Sequence, residues 1–413
     1  MINKFIVSGY VFFAGTIPVL SQKISVDNLR SHITCLSSDS MEGRGTATKG
    51  EQMAAQYIQK NFHEMKLMPK GKNNSYLYDF TFKKNPNPHD TSTVDIPVRK
   101  GINVIGFLDN KSEYTVVIGG HYDHLGKGGD GGGSLEANSE GMIHNGADDN
   151  ASGTAGVLEL ARYFTANNRT EKFNFLFICF SGEELGLYGS KKFCDSPTVD
   201  LKTINYMVNM DMIGRLSDST HKVVVYGVGT STDMIPLLDK IPSDLKIIKD
   251  SSGIGPSDQT SFYLKDIPVL HFFTGQHKDY HKPSDDADKI NYDGEKKILE
   301  YIVQFIEETE KLPKMKFTPT RSKQEDTPRF KVTLGIMPDY TFEGKGVRVD
   351  GVTKGKPASN AGIEKEDIII QLGEKKTENM MDYMKALAGF AAGDSAEAVV
   401  MRKGQEVKLR VKF

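Results

Sequence analysis

Up to about residue 310, the chain alternates short apolar runs with segments of helical pattern, and this alternation constrains its fold more than any other feature. Near-continuous apolar runs predict strands that are covered on both faces of a sheet. The runs are INVIGFL (102–108), YTVVIGG (114–120), FNFLFICF (173–180), INYMVNM (204–210), KVVVYG (222–227) and DIPVLHFF (266–273). Apolar residues at helical spacing over 50–66, 152–166 and 294–309 predict helices. We therefore predict an α/β fold with a mostly parallel central sheet flanked by helices.

The composition excludes some classes of function. At about 150 residues per domain, a chain of 413 residues has room for more than one domain and for a large core. Its 52 Lys and Arg residues nearly cancel its 54 Asp and Glu residues, which leaves a formal charge of -2. Because there is no basic surplus, we predict no binding to nucleic acid. Cys35, Cys179 and Cys194 allow at most one bridge, so disulfides do not define the fold.

The first residues have the pattern of a secretory signal. Lys4 precedes an apolar stretch over 5–20, and small and polar residues follow it. We predict that residues 1–21 are a signal peptide cleaved after Ser21. The mature protein would then be exported, either periplasmic or secreted, and would have no membrane span. A retained anchor is the alternative, which the short apolar run and the missing stop-transfer flank disfavour.

The composition also divides the chain. The first unit is predicted over 22–311, and residues 312–328 combine prolines with mixed charge, which predicts an exposed linker. A second unit over 329–413 has its own short β-runs and a helical pattern over 379–389. These runs are FKVTLGI, GVRVDGV, DIIIQLG, EAVVMR and EVKLRVKF.

The second unit resembles a PDZ domain of the kind appended to bacterial proteases. The resemblance is carried by Thr333-Leu334-Gly335-Ile336, by Gly355–Ile363 and by Asp367-Ile368-Ile369. It implies a small β-rich domain that adds a peptide C-terminus as an extra strand, with the turn at 334–336 supplying N–H groups to the carboxylate. A purely structural cap on the first unit is the alternative.

Polar clusters follow the predicted strands of the first unit. His121-Tyr122-Asp123-His124 follows one strand, Ser181-Gly182-Glu183-Glu184 follows another, and Asp211 follows a third. Two further clusters belong with these. GADDNASG at 146–153 opens a predicted helix, and YHKPS at 280–284 comes shortly after a predicted strand. Ligands of open parallel sheets bind at the carboxyl ends of the strands, so we expect these clusters to converge. Imidazole and carboxylate groups are the ligands expected for zinc.

As an ordered set, with Met41–Gly45 and the helix start at Lys49-Gly50, these clusters resemble the dinuclear zinc aminopeptidases of the bacterial leucyl aminopeptidase type. That family also includes plasma glutamate carboxypeptidase and the glutaminyl cyclases. The resemblance covers roughly residues 25–310. It implies a zinc exopeptidase fold, two Zn²⁺ ions, and hydrolysis of peptide substrates at their free N-termini.

The resemblance also implies a role for individual residues. Asp148 is expected to bridge the two ions, with His121 and Asp211 completing one site and Glu184 and His281 the other. Glu183 is expected to be the general base, and Asp123 to orient His121 through its other ring nitrogen. The bond from Asp148 to Asp149 is expected to be cis. Two zinc ions, three ligand carboxylates and one bridging hydroxide would make a neutral cluster.

Other functions stay open at this point. A carboxypeptidase or dipeptidase would share the hydrolytic core. A glutaminyl cyclase keeps a related ligand set, but the family pattern lines its pocket with tryptophans and this chain has none. A non-catalytic binding protein that presents the PDZ unit is disfavoured because every ligand position is filled.

Some residues near the expected site are ambiguous in the sequence. His124 and His144 can be either supports of the site or ordinary loop residues. Gln259 stands where the family often has His, which puts any role of that His in doubt. The Gly-rich segment 127–141 is predicted to be a mobile rim of the cleft.

Overall fold

A computed structural model describes residues 23–83, 97–128, 133–136, 138–320, 331–339, 342, 344–353 and 355–413. The predicted signal peptide therefore lies outside the described residues. In the part of the chain that is described, no helix has the length and apolarity needed to cross a membrane.

The helices of the described chain are α1 (Val26–Leu36), α2 (Lys49–Glu64), α3 (Gly153–Ala166), α4 (Tyr188–Asp195), α5 (Met234–Lys240), α6 (Gln259–Tyr263), α7 (Tyr292–Thr309), α8 (Pro357–Ala361) and α9 (Met380–Leu387). The strands are β1 (Met68–Pro69), β2 (Leu77–Lys83), β3 (Val98–Leu108), β4 (Thr115–His121), β5 (Asn174–Phe180), β6 (Ile204–Met210), β7 (Lys222–Tyr226), β8 (Lys246–Asp250), β9 (Val269–Phe273), β10 (Ile336–Pro338), β11 (Val347–Val352), β12 (Ile368–Leu372), β13 (Lys375–Lys376), β14 (Ser395–Arg402) and β15 (Gln405–Lys412).

The first unit contains a nine-stranded sheet in the order β1-β3-β5-β4-β6-β9-β7-β8, with β2 paired to β3. Its centre, β5-β4-β6-β9, is parallel. Towards the edges, β3 runs antiparallel to β5 and β7 runs antiparallel to β9. The predicted α/β class with helices flanking a central sheet is confirmed, and its parallel part is the part that carries the site.

Alternate residues of the central strands pack on opposite faces of this sheet. In β5, Phe175 and Phe177 belong to the apolar cluster beneath α1, α2, α3 and α7, while Leu176 and Ile178 belong to the cluster beneath α4 and α6. Every residue of β5 is buried, which is why its sequence is apolar without alternation. Strand β2, which is not among the predicted strands, shows the opposite pattern, with buried Tyr78, Phe80 and Phe82 at a period of two.

Three of the helices that flank the sheet begin at capping side chains. Ser25, Thr48 and Asn291 accept hydrogen bonds from backbone N–H groups in the first turns of α1, α2 and α7. Such caps satisfy N–H groups that have no partner inside the helix. Helices α2, α3 and α7 begin and end within two residues of the segments that the apolar spacing predicts.

The segment that follows α7 differs from the expected exposed linker. Met315 is buried in the core of the first unit, and its N–H group donates a hydrogen bond to the side chain of Asn205 (2.7 Å). Thr318 donates to the carbonyl oxygen of Thr230 (2.8 Å), and Phe317 packs against Tyr263. Residues of the predicted linker therefore pack against the first unit. The reason is that Met315 and Phe317 supply apolar side chains that composition alone did not distinguish from the surrounding prolines and lysines.

The second unit has a separate apolar core and a six-stranded sheet in the order β10-β11-β12-β14-β15, with β13 paired to β12. Strand β10 is an edge strand that pairs with β11 in an antiparallel register. Helix α9 lies within the range that the sequence predicts, and the small β-rich architecture is confirmed. The predicted boundaries at 311, 328 and 329 stay predictions.

Candidate metal centre

The acidic and imidazole side chains converge at the carboxyl ends of the central parallel strands. His121 is the last residue of β4, Asp211 follows β6 directly, and Glu183 and Glu184 follow β5 after two residues. Two loops complete the site, one before α3 and one after β9. The topology thus brings together residues that are up to 160 positions apart in sequence, from His121 to His281.

One group of ligand-type atoms surrounds His121. Its Nε2 atom lies 3.4 Å from Oδ1 of Asp211 and 3.5 Å from Oδ1 of Asp149. Oε2 of Glu183 lies 4.0 Å from the same nitrogen, at the edge of the group. His121, Asp149 and Asp211 have the spacing of a cluster that can hold a metal ion.

A second group surrounds Glu184. Nε2 of His281 lies 3.2 Å from Oε2 of Glu184 and 3.1 Å from Oδ2 of Asp149. Nδ1 of His124 lies 2.7 Å from Oε1 of Glu184 and 3.9 Å from Oδ2 of Asp149. His124, Asp149 and Glu184 also have metal-ligand spacing. Asp149 belongs to both groups, and each of its two carboxylate oxygens faces one of them.

This arrangement corrects the expectation that Asp148 is the shared residue. Oδ1 of Asp148 accepts hydrogen bonds from the N–H group of Gly214 (2.7 Å) and the hydroxyl of Ser152 (3.1 Å), and Oδ2 lies 3.1 Å from Nε2 of His277. Both of its carboxylate oxygens therefore have other partners, and Asp148 belongs to neither group. The cis peptide bond, expected after Asp148, joins Asp149 and Asn150.

Hydrogen bonds hold the backbone around Asp149 from several directions. They explain why Asp149, and not Asp148, faces the two groups. Oδ2 of Asp285 accepts the N–H groups of both Asp148 and Asp149, at 2.9 and 3.1 Å. The amide of Asn150 donates to the carbonyl oxygen of Met210 (3.0 Å) and accepts from the N–H group of Gly153 (2.8 Å). These contacts turn Asp149 towards the ends of β4, β5 and β6.

The two ambiguous histidines differ. His124 belongs to the second group, and its Nε2 atom is buried with no hydrogen-bond partner in the described chain. Its spacing three residues after His121, in one polar cluster, was the available signal. His144 instead makes contacts within its own loop, with Ser134 (2.7 Å) and with the carbonyl oxygen of Met142 (3.0 Å).

Backbone carbonyl oxygens set the ring orientations of His121 and His281. Nδ1 of His121 donates to the carbonyl oxygen of Asp123 (3.1 Å), while the nearest carboxylate oxygen of Asp123 is 3.7 Å away. Nδ1 of His281 donates to the carbonyl oxygen of Gly133 (2.8 Å), in the described part of the Gly-rich segment. In both rings Nε2 therefore faces the clustered carboxylates, as a metal ligand requires.

The Asp123 carboxylate instead supports the loop that carries Glu183. It accepts hydrogen bonds from the hydroxyl of Thr46 (2.7 Å) and from the N–H group of Glu183 (3.2 Å). Asp123 thus lies beside Nδ1 of His121, as expected, and its carboxylate also positions the predicted base.

A buried arginine connects the loops that carry the site. Arg44 is 0% exposed and donates to the carbonyl oxygens of Tyr122 (2.7 Å) and Gly146 (2.8 Å). It also donates to the carbonyl oxygens of Leu36 (2.6 Å) and Asn145 (2.7 Å). Burial lowers the pKa of Arg44 to about 10, so the guanidinium stays charged near neutral pH. It lies within the field of the site carboxylates, which offsets part of the cost of its burial.

The electrostatics of the two groups fit divalent cations. Burial opposes the charge on His121 and His281, but Asp211 and Glu184 nevertheless raise the pKa of these rings well above its usual value. Burial also raises the pKa of Glu183 well above its usual value. Although burial acts to raise the pKa of Glu184, the neighbouring His281 and His124 hold it well below its usual value. So many buried carboxylates call for positive charge, and the donor types are those that zinc prefers.

A cavity of about 90 Å³ opens over these groups. Tyr226, Pro256, Phe273, Gln276 and Tyr280 form its walls, with the site residues at its base. The Ser257-Asp258-Gln259 segment follows Pro256 of this wall, and the hydroxyl of Ser257 and the side-chain Oε1 of Gln259 accept from the side-chain amide of Asn209 (2.9 and 3.3 Å). Burial raises the pKa of Asp258 to about 7.

Comparison with known proteins adds two family matches. Residues 103–306 match the sequence model described as "Peptidase family M28", and residues 315–413 match that of the "PDZ domain". Aminopeptidase YwaD of Bacillus subtilis is 29% identical over 156 residues, which are 35% of this chain and 34% of that protein. The aligned region thus spans about a third of this curated relative.

Solved structures show the same fold at low sequence identity. BSAP, a zinc aminopeptidase from Bacillus subtilis, is similar with a TM-score of 0.55 at 17% identity, over 72% of this chain and 98% of that one. A glutaminyl cyclase from Porphyromonas gingivalis is similar with a TM-score of 0.54 at 14% identity, over 70% of this chain and 100% of that one. At these identities the similarity establishes the fold alone.

Proposed function

The chain combines a metallopeptidase domain of peptidase family M28 with a PDZ domain, and from this premise we propose that it is an exported aminopeptidase with a dinuclear zinc site. Its substrates would be peptides with free N-termini. The observation that carries the proposal is the position of Asp149, whose two carboxylate oxygens face two separate groups of metal-type ligands.

The described residues suit a pair of ions. Asp149, His121 and Asp211 would hold one ion, and Asp149, Glu184 and His281 the other, with His124 against Glu184. When bound, zinc would acidify a shared water and polarise the carbonyl group of the scissile bond. The three carboxylates would offset three of the four positive charges that two zinc ions bring, and the two imidazoles would bind as neutral ligands.

Glu183 is the residue we assign as general base. Its carboxylate lies at the edge of the first group, 4.0 Å from His121, and does not belong to either metal-type cluster. Its N–H group is held by Asp123. The raised pKa of this buried carboxyl suits a group that takes a proton from water and passes it to the leaving amine.

The glutaminyl cyclase alternative has the same fold, so the fold does not decide between the two activities. The absence of tryptophan from the whole chain favours the aminopeptidase, because the cyclase pattern lines its pocket with that residue. The cavity over the site has Tyr226, Phe273 and Tyr280 as its aromatic residues.

The proposal is tested by metal analysis paired with hydrolysis. We expect two zinc equivalents per chain, and loss of leucyl reporter amide hydrolysis on chelation with recovery on adding zinc. Cleavage of N-acetylated peptides would indicate a carboxypeptidase, and cyclisation of N-terminal Gln with one zinc would indicate a cyclase. Absence of metal binding would contradict the ligand assignment.

A matched pair of variants tests the base. Glu183→Gln should lower kcat by about 10²–10⁴-fold while zinc content is retained, because only the proton acceptor is lost. Glu113→Gln, at an exposed position, is the control and should match the parent protein. Equal activity of the two variants would remove Glu183 from the mechanism and would favour a non-catalytic binding protein.

Export is a separate part of the proposal and rests on the apolar stretch over residues 5–20. Expression in a Gram-negative host followed by cell fractionation and N-terminal sequencing would check it. A mature N-terminus after Ser21 in the periplasm or medium supports export. Cytoplasmic protein that retains residues 1–21 contradicts it.

A further inference from the structure

A second, larger cavity lies between the two units. Its volume is about 610 Å³, and it is walled on the PDZ side by β10 and α9 and on the other side by loops of the peptidase unit. The groove between the first edge strand and the following long helix is where a PDZ domain adds a peptide strand. Here that groove opens towards the peptidase unit.

We infer that this cavity and the catalytic cavity form one cleft that holds a peptide substrate by both ends. The N-terminus of the peptide lies at the metal centre, and its apolar C-terminal residue with the free carboxylate lies between β10 and α9. The inference rests on the proposed aminopeptidase function and narrows its substrate class to oligopeptides with a free, apolar C-terminus.

The first argument is the continuity of the two cavities. Tyr226, Pro256, Gln276 and Tyr280 line both of them. At this junction, Oε1 of Gln276 is buried and has no hydrogen-bond partner in the described chain. A buried acceptor without a partner is costly, and rotation of the Gln276 side chain would let it accept from a backbone N–H group of a peptide that passes from one cavity to the other.

The second argument is the geometry of the PDZ edge. Strand β10 pairs with β11 on one side only among the described residues, and its other side faces the cavity through Ile336 and Pro338. Pro338 has no N–H group, so a ladder with a bound peptide ends there. The peptide is then free to leave the strand edge, as it must to continue into the catalytic cavity.

The third argument is the turn that precedes β10. Gly335 has a φ of +78°, and a Cβ atom there would lie 2.2 Å from Cβ of Lys356. The turn is thus restricted to glycine, and it brings the stem of an exposed lysine against the backbone that would receive the carboxylate. The positive charge of Lys356 complements the free C-terminus of a peptide.

The apolar residues that line the groove determine which C-terminal side chain of a peptide it favours. Met380 and Met384 lie one turn apart on α9 and face the cavity together with Tyr383 and Leu387. These side chains favour an apolar residue, and the two flexible methionines tolerate apolar residues of different shape.

The test compares peptides that share one N-terminal residue, range from two to twelve residues, and end in valine as the free acid or the amide. For the full-length zinc enzyme, we expect kcat/KM for release of the first residue to rise by at least about tenfold beyond a threshold length. A carboxylate contact of ordinary strength gives an effect of this size. The gain should be absent from the amides and from short reporter amides.

Matched variants assign this gain to the groove. Met384→Glu places a negative charge in the apolar lining of the groove and should abolish the length-dependent gain, while hydrolysis of short reporters is unchanged. Gln405→Glu adds the same charge at an exposed position on β15 and should behave like the parent enzyme.

The outcomes separate this inference from the proposed function. Hydrolysis of reporters with no dependence on peptide length or C-terminal carboxylate overturns the inference and leaves the aminopeptidase proposal intact. Hydrolysis of no peptide overturns both. Fluorescence anisotropy that shows labelled peptides binding at the groove without being preferred substrates also overturns it, since the PDZ unit would then recruit a separate partner.

Discussion

The two units of the chain build their proposed binding sites in different ways. In the peptidase unit, the site consists of individual side chains from several loops, and each is fixed by buried contacts, so that Asp149 is 4% exposed. In the PDZ unit, the groove consists of a strand edge, a glycine turn and flexible apolar side chains. A site of the first kind depends on single atoms, whereas a site of the second kind depends on shape. Substitutions should therefore act sharply in the first unit and gradually in the second.

The largest effect should come from Asp149→Asn. Because Asp149 faces both groups, its loss should reduce zinc content and lower kcat/KM by more than the about 100-fold typical of residues outside the ligand shell. Asp148→Asn is the matched control, since its retained oxygen still accepts from Gly214, and its effect should be at or below about tenfold. Reporter hydrolysis and metal analysis measure both. A larger loss in Asp148→Asn would restore Asp148 as the shared ligand.

Metal removal should affect one unit and not the other. The peptidase and PDZ units have separate apolar cores, so we expect two transitions in urea. At a free zinc concentration about 1,000 times the Kd, binding should add about 4 kcal/mol to the free energy of unfolding of the peptidase unit alone. Pulse proteolysis with mass spectrometry would assign the transitions, with and without chelator. A single transition that shifts as a whole would mean that the units unfold together.

Arg44→Lys should destabilise the peptidase unit without acting on the PDZ unit. A lysine cannot reach the carbonyl oxygens of Leu36, Tyr122, Asn145 and Gly146 at once, and a buried acceptor left without a donor costs about 1–3 kcal/mol. We expect the free energy of unfolding of the peptidase unit to fall by about 3 kcal/mol. Arg169→Lys, at an exposed ion pair, is the control and should change it by less than about 1 kcal/mol. Equal stability of the two variants would contradict the role of Arg44.

The smallest effect concerns pH. Burial raises the pKa of Glu51 to about 7, against 4.5 for the exposed group. Between pH 4.5 and 7, Glu51 is therefore protonated in the folded protein but ionised in the unfolded chain. Because the folded state binds the extra proton, this group lowers the stability of the fold as the pH rises through that range. Glu51→Gln should make the peptidase transition less dependent on pH over this interval, when both proteins are compared in chelator. Parallel pH profiles would show that Glu51 ionises normally.

Much of the peptidase unit was predictable because its strands are buried on both faces. Strands such as β5 and β6 are buried and apolar over most of their length, so their ends, where the site residues lie, are recognisable in the sequence. Strand β8 (KIIKD) was not predicted because it is a short, largely exposed edge strand whose sequence carries little apolar signal. Strand β2 could have been recognised from its alternating aromatic residues.

The choice between Asp148 and Asp149 could not be predicted from local sequence. The two residues are identical and adjacent, and both are buried. Their orientation depends on Asp285, which lies more than 130 residues away and accepts the N–H groups of both. The place of His124 depends in the same way on Glu184, which another strand positions. Residue types at strand ends predicted the chemistry of the candidate site, whereas long-range hydrogen bonds decide which atoms face one another there.

Residues 312–320, which follow α7 and pack against the first unit, affect how the two units can be separated for expression. A peptidase fragment that stops at Lys311 would lack Met315 and Phe317, and would leave an apolar socket open to solvent beside Asn205 and Tyr263. Exposed apolar surface of this kind promotes aggregation. A fragment that extends through Thr320, whose N–H group donates to the Tyr263 hydroxyl (3.0 Å), keeps that socket filled and should be the more soluble product.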